Sequence, residues 1–213
     1  MDAFRRKSRH PSMKPLVLIL SALLLGEVAP ARAQVVRDGG WLNVGLGYGS
    51  AHFSCDTCTG RRQLGGWTIS VDIGGTPNQH LRVGAGVHGW MNGLKAGQPL
   101  PGMVTGTIML AYYPRERAGF FVDIGGERSG YVLGKGTGDP IEPYSNDTTY
   151  YSGGGWGLTL GTGWEIRRGR TALRPHVAYH YAAIDRLHFS NGVTAVTGWK
   201  QSLLSVELGF LIP

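Results

Sequence analysis

Residues 156–166, Trp156-Gly157-Leu158-Thr159-Leu160-Gly161-Thr162-Gly163-Trp164-Glu165-Ile166, carry the reading that decides the fold. The even positions hold Trp, Leu, Thr and Ile. The odd ones hold Gly, Thr159 and Glu165. An alternation of period two puts these sets on opposite faces of an extended strand. One face is large and uncharged, the other small and polar.

The pattern recurs on both sides of this segment. Leu42, Val44, Leu46 and Tyr48 oppose Asn43, Gly45, Gly47 and Gly49, and Trp67, Ile69, Val71 and Ile73 oppose Thr68, Ser70, Asp72 and Gly74. Leu81, Val83, Ala85 and Val87 stand against Arg82, Gly84, Gly86 and His88, and Val104, Ile108, Leu110 and Tyr112 against Thr105, Thr107, Met109 and Ala111. Further strands are predicted over 120–127, 173–182 and 203–212, which makes eight. Connections of a few residues at 76–79, 114–118 and 167–170 alternate with long ones, about 51–65, 92–102, 128–153 and 184–200.

An even number of strands with short turns at one rim and long loops at the other is an outer-membrane arrangement. A soluble barrel or sandwich would also alternate, so charge separates the two. The polar face of a water-exposed sheet is rich in Lys and Glu, whereas here that face is mostly Gly, Ser, Thr and Ala. Small residues fit a narrow filled lumen, and the uncharged face fits lipid. An Arg or Lys at the lipid midplane would cost roughly 2–4 kcal/mol. The expected fold is therefore all-β: an eight-stranded antiparallel transmembrane up-and-down β-barrel. Trp41, Tyr48, Trp67, Tyr112, Tyr113, Trp156, Trp164, Tyr179 and Tyr181 are expected to form its aromatic girdles.

This architecture resembles the small eight-stranded outer-membrane barrels of the OmpA/OmpX-like superfamily over essentially all of 40–213. The last strand also resembles the signal read by the barrel-assembly machinery, with Glu207, Gly209 and Ile212 in a polar-x-Gly-x-x-apolar pattern. The chain ends on Leu211-Ile212-Pro213 where that family usually ends on an aromatic residue. The resemblance implies insertion in the outer membrane of a Gram-negative-type envelope.

Residues 1–33 read as a cleavable signal peptide, leaving 34–213 as the barrel domain. A basic start (Arg5, Arg6, Lys7, Arg9, Lys14) precedes the apolar run Leu16–Leu25, too short for the ~20 residues of a spanning helix. Ala31-Arg32-Ala33 offers small residues at the cut, and either Met1 or Met13 serves as the start. The whole chain has 21 Lys/Arg against 14 Asp/Glu. Removing the leader takes six basic and two acidic residues, which leaves 15 against 12 and argues against a nucleic-acid partner. The 35 glycines among 213 residues show no period of three, which excludes collagen.

Asp72, Arg82, His88, Asp123, Glu127, Glu165, Arg174, His176, His180 and Glu207 all fall on the small, polar register. Charges in a narrow lumen must be paired, so these residues are expected to form an interior network. His176 and His180 are four residues apart on one strand, roughly 13 Å at ~3.3 Å per residue, too far to share a metal. Cys55 and Cys58 in the first loop read as a loop-stapling disulfide in an oxidising compartment. No cofactor or metal site is expected. Asp139, Glu142 and Asp147 in the third loop are candidates for calcium or a surface partner, but a solvated loop is the preferred reading.

His188-Phe189-Ser190-Asn191 resembles the His-x-Ser-Asn motif of PagL-type lipid A deacylases, which are also eight-stranded outer-membrane barrels. That resemblance implies His188 as general base, Ser190 as nucleophile and Asn191 as oxyanion donor. The glutamate expected about a dozen residues after the serine is not found. Gln201 and Ser202 occupy its neighbourhood, and Glu207 lies too far along. If the seventh strand runs without a bulge, His188 and Ser190 share the inward register of His176 and His180.

The leading expectation is thus a monomeric, non-enzymatic barrel with a filled polar lumen. Its loops would act in adhesion, protection or envelope integrity, with a possible extracellular ligand. Arg61, Arg62, Arg128, Arg186 and Lys200 near the outer rim are candidates to pair with lipopolysaccharide phosphates. A lipid A deacylase and a narrow passive channel are the competing readings.

Overall fold

The computed structural model describes residues 37–56, 58, 62–92, 101–116, 118–133, 151–189 and 193–213. The expected signal peptide, Arg61, Asp139, Glu142, Asp147, Ser190 and Asn191 lie outside the described residues. Among the described residues nine strand segments occur: β1 (Gly40–Ser54), β2 (Arg62–Asn78), β3 (Leu81–Met91), β4 (Pro101–Tyr112), β5 (Phe120–Leu133), β6 (Tyr151–Trp164), β7 (Ile166–Arg168), β8 (Thr171–Phe189) and β9 (Thr194–Ile212). Each pairs antiparallel with its neighbour in sequence, except that β6 and β7 both pair with β8 as two parts of one stave interrupted at Glu165. The β1–β9 ladder, from Leu42 opposite Ile212 to Ser54 opposite Lys200, closes the sheet on itself. The result is a closed eight-stranded antiparallel barrel.

The alternation maps directly onto the wall. Leu46, Val87, Ile108, Ile124 and Val206 point outward and are exposed, while Asn43, Ser70, Thr107, Asp123 and Ser205 point inward and are buried. Strands run further toward the loop rim than their alternation suggests: β8 extends to Phe189 and β9 begins at Thr194, so most of the expected 184–200 loop is sheet. At the other rim the turns are tight. Gly169, at the β7–β8 turn, has φ +64°, a conformation that excludes most side chains.

Two aromatics depart from the expected girdle. Trp41 and Tyr113 are buried inside, at 5% and 0% exposure. Each obeys the parity of its own strand: Trp41 shares the register of Asn43, and Tyr113 that of Met109 and Ala111. The remaining seven, Tyr48, Trp67, Tyr112, Trp156, Trp164, Tyr179 and Tyr181, face outward and are exposed.

Candidate functional site

The interior is the chemically distinctive region, and its room is made by glycine. Directly across from an inward charged or imidazole side chain the neighbouring strand repeatedly places a glycine: Asp72–Gly86, Asp123–Gly161, Glu127–Gly157, Glu207–Gly47, Arg174–Gly209 and His176–Gly163. A Cβ at Gly86 would run into the Asp72 carboxylate, and one at Gly161 into His176 and Asp123. Cross-strand partners point to the same side, so only the smallest residue leaves space for these groups in an eight-stranded lumen.

At the turn rim, Glu165 is the hub of a buried cluster. Its carboxylate accepts hydrogen bonds from Arg82 and Tyr113, and lies 3.5 Å from Arg37 Nε and 3.3 Å from Arg167 Nη2. Arg37, just ahead of β1, is 1% exposed and folds beneath the barrel. It donates to the carbonyls of Glu116 at 2.7 Å and Gln79 at 3.3 Å, and its guanidinium stacks 3.9 Å from the Tyr113 ring centroid. Burial pushes the Tyr113 phenol up to about 12, with Glu165 adding to the rise and Arg174 and Arg82 opposing it. Sequence reading missed Arg37, which precedes any alternating segment and leaves no periodic signal.

The middle layer holds carboxylate–imidazole pairs. His88 Nε2 lies 3.1 Å from Asp72, His176 Nε2 2.9 Å from Asp123, and His180 Nδ1 3.0 Å from Glu127. Arg174 adds a second, 3.8 Å contact to Asp123. Asn43 donates to Asp72 at 2.9 Å and Ser70 to Glu207 at 2.8 Å. All ten residues named from the sequence therefore face the interior, in two adjoining layers. His176 and His180 do not converge. Among the described residues no group of three or more His, Cys, Asp or Glu is arranged to hold a metal.

Toward the loop rim the inward side chains change from polar to apolar. Phe53, Trp90, Met103, Tyr131, Ile184, Leu187 and Trp199 form a buried apolar cluster, with Tyr131 and Trp199 ring centroids 4.8 Å apart and Phe53 and Tyr131 5.3 Å apart. Directly beneath it, Gln201 donates to Ser129 at 2.6 Å, and Trp199 donates to Gln201 at 3.3 Å. Cys55 and Cys58 are disulfide-bonded and pack against the cluster from the first loop.

His188 does not keep the inward register that an unbroken strand would give it. The β6–β8 ladder shifts by one residue between Trp156–Ala183 and Ser152–His188. Asp185 and Arg186 are both exposed, Leu187 takes the inward position at 0% exposure, and His188 stands opposite the exposed Ser152. Parity in sequence cannot reveal such a bulge. Gln201, which stands near where the deacylase glutamate is expected, points inward and is 1% exposed.

Closed antiparallel topology and an apolar outer wall define a small β-barrel of the outer-membrane type. No family model matches the chain, and no curated protein matches it in sequence. Among solved structures it is similar to Neisserial surface protein A (NspA), with a TM-score of 0.50 and 12% identity over 80% of this chain and 96% of that one. The attachment invasion locus protein Ail of Yersinia pestis matches with a TM-score of 0.47 and 11% identity, over 82% of this chain and 99% of its own. The outer membrane protein OprG from Pseudomonas aeruginosa matches with 0.44 and 12%, over 84% and 98%. At these identities the likeness is one of fold.

Proposed function

We propose that the protein is a sealed, monomeric outer-membrane barrel, exported by its leader, with its turns toward the periplasm and its loops outward in a non-enzymatic structural or adhesive role. One observation carries this reading: the same sheet combines an apolar, exposed outer wall with an interior occupied from rim to rim by paired charges and packed aromatics. A wall of that kind is costly in water and natural in lipid. An interior of that kind supports rigidity rather than transport. Glu207, Gly209 and Ile212 on β9, the strand that closes against β1, are the features offered to the assembly machinery.

Recovery in outer-membrane fractions with heat-shifted gel mobility is the expected result, and a protein soluble without detergent overturns the reading. Planar-bilayer recording is expected to show no steady conductance. A stable open pore would favour the channel instead.

The deacylase reading keeps one supporting observation, the bulge that takes His188 off the inward register. Mass spectra of lipid A from cells expressing wild type and Ser190→Ala test it. Identical spectra are expected. A deacylated species that disappears in the variant would replace the non-enzymatic reading.

A further inference from the structure

Arg128 stands apart from the interior charges. It lies on the outward register of β5, between Gly126 and Gly130, and is the one charged side chain on the outer face of β4, β5 and β6 among the described residues. Across the ladders its neighbours are Gly106 and Trp156. Its guanidinium lies 5.1 Å from the Trp156 ring centroid and over Gly154, whose Cβ would meet it at 3.7 Å. No described carboxylate forms an ion pair with it.

Height explains how the wall tolerates this charge. Arg128 is eight residues beyond the first residue of β5. That is roughly 26 Å along a strand at ~3.3 Å per residue, or about 20 Å of height at ~40° tilt, against an apolar band ~25 Å tall. The group therefore sits near the loop-side boundary, where an arginine costs only about 0–1 kcal/mol and where lipid phosphates begin. Below it the outer wall carries an open, shallow depression. An apolar groove of about 380 Å³ runs from Gly126 toward the turn rim between Ile108, Leu110, Ile124, Leu158 and Val83. A Cβ at Gly126 or Gly106 would meet nothing within 4 Å.

We propose that this patch is a lipid site: Arg128, braced on Trp156, holds the phosphate of an outer-leaflet glycolipid, and one of its acyl chains lies in the groove over Gly126. The assignment rests on the outer-membrane reading above. A guanidinium gives the phosphate charge-assisted, bidentate hydrogen bonds. The ring below it supplies a cation–π contact without competing for its donors. Gly126, flanked by Ile108 and Leu158 on the neighbouring strands, keeps the wall thin where the chain approaches.

The test uses the folded barrel in maltoside micelles, which carry no phosphate, titrated with bisphosphorylated lipid A and with its dephosphorylated form. Arg128→Gln is expected to weaken binding of the phosphorylated lipid by about tenfold, the loss of one charge-assisted contact. The same variant should bind the two lipids alike. Arg128→Lys, which keeps the charge without the fork, should fall between the two and serves if the glutamine variant folds poorly. Gly126→Leu should also weaken binding by occupying the groove, whereas Arg168→Gln, at the opposite rim, should not. Wild-type affinity in Arg128→Gln, equal loss in Arg168→Gln, or equal affinity of wild type for both lipids overturns the proposal. Membrane fractionation reports separately on location. A barrel found outside the outer membrane that still shows Arg128-dependent binding would refute the location and leave the site.

Discussion

Replacing Glu165 by glutamine tests the turn-rim cluster where it is most exposed to failure. The substitution keeps the shape and removes the charge that Arg37, Arg82 and Arg167 share. The three arginines do not suffer equally. Arg37 keeps backbone carbonyls at Glu116, Gln79 and Ala118 as acceptors, and the Arg167 side chain reaches solvent at 15% exposure. Arg82 is 4% exposed and retains a Tyr113 hydroxyl contact at 3.4 Å. Removing one partner of a buried pair costs roughly 3–5 kcal/mol. With two of the three arginines otherwise satisfied, the expected loss is about 3 kcal/mol, a hundredfold or so in the folding equilibrium. Urea unfolding of the barrel in detergent or phospholipid vesicles, followed by tryptophan fluorescence, measures it as a shift in midpoint at unchanged slope. The double variant Arg82→Met/Glu165→Gln removes the stranded charge and should lose less than Glu165→Gln alone. A single variant within about 1 kcal/mol of wild type, or a double variant that loses the sum of both singles, would refute the hub.

Three further outcomes follow from the same structure. Gly86→Val, which forces a side chain against the Asp72 carboxylate, should destabilise by about 1–3 kcal/mol, whereas Gly106→Val on the open outer wall should stay within about 0.5 kcal/mol. Both read out in the same unfolding assay, and equal effects would count against the glycine pairing. Removing the disulfide with Cys55→Ser/Cys58→Ser should cost at most about 2 kcal/mol, the loop-closure entropy of so short a loop, with barrel assembly preserved on heat-shift gels. Because the Tyr113 pKa is raised from 10.0 to about 12 in the fold, its contribution to stability is complete below pH 10 and is lost as pH rises through 12. Unfolding free energies measured across that window should show a decline in wild type that Tyr113→Phe lacks.

Parity carries most of what is legible in the amino-acid sequence. Asn43, Asp72, Asp123 and Glu207 belong inside because each alternates with outward Leu, Val or Ile. Misreadings arise where residue type overrules parity, or where parity itself is silent. Trp41 and Tyr113 suggest a girdle by being aromatic, although their own registers point inward. The aromatic filling behind the loop rim, with Phe53, Tyr131 and Trp199, lies beyond the membrane-height part of each strand, where the alternation is regular enough to follow. His188 is of the second kind: a one-residue bulge near Asp185 and Arg186 changes the face of everything after it. Arg37 is a third kind, placed by long-range hydrogen bonds to the turns that no local pattern encodes.

The central claim is which face of this sheet meets lipid, and the six tryptophans divide evenly between the faces. Trp67, Trp156 and Trp164 are 48%, 71% and 47% exposed on the outer wall, whereas Trp41, Trp90 and Trp199 are 5%, 2% and 1% exposed inside. Single-tryptophan variants reconstituted in vesicles with brominated acyl chains measure contact with lipid directly. Trp156 and Trp164 should be strongly quenched by the bromines and little by aqueous iodide, and Trp90 and Trp199 should resist both. Bromine quenching of Trp90 and Trp199 as strong as that of Trp156, or iodide quenching of all three outer tryptophans, would contradict a lipid-facing wall around a sealed interior.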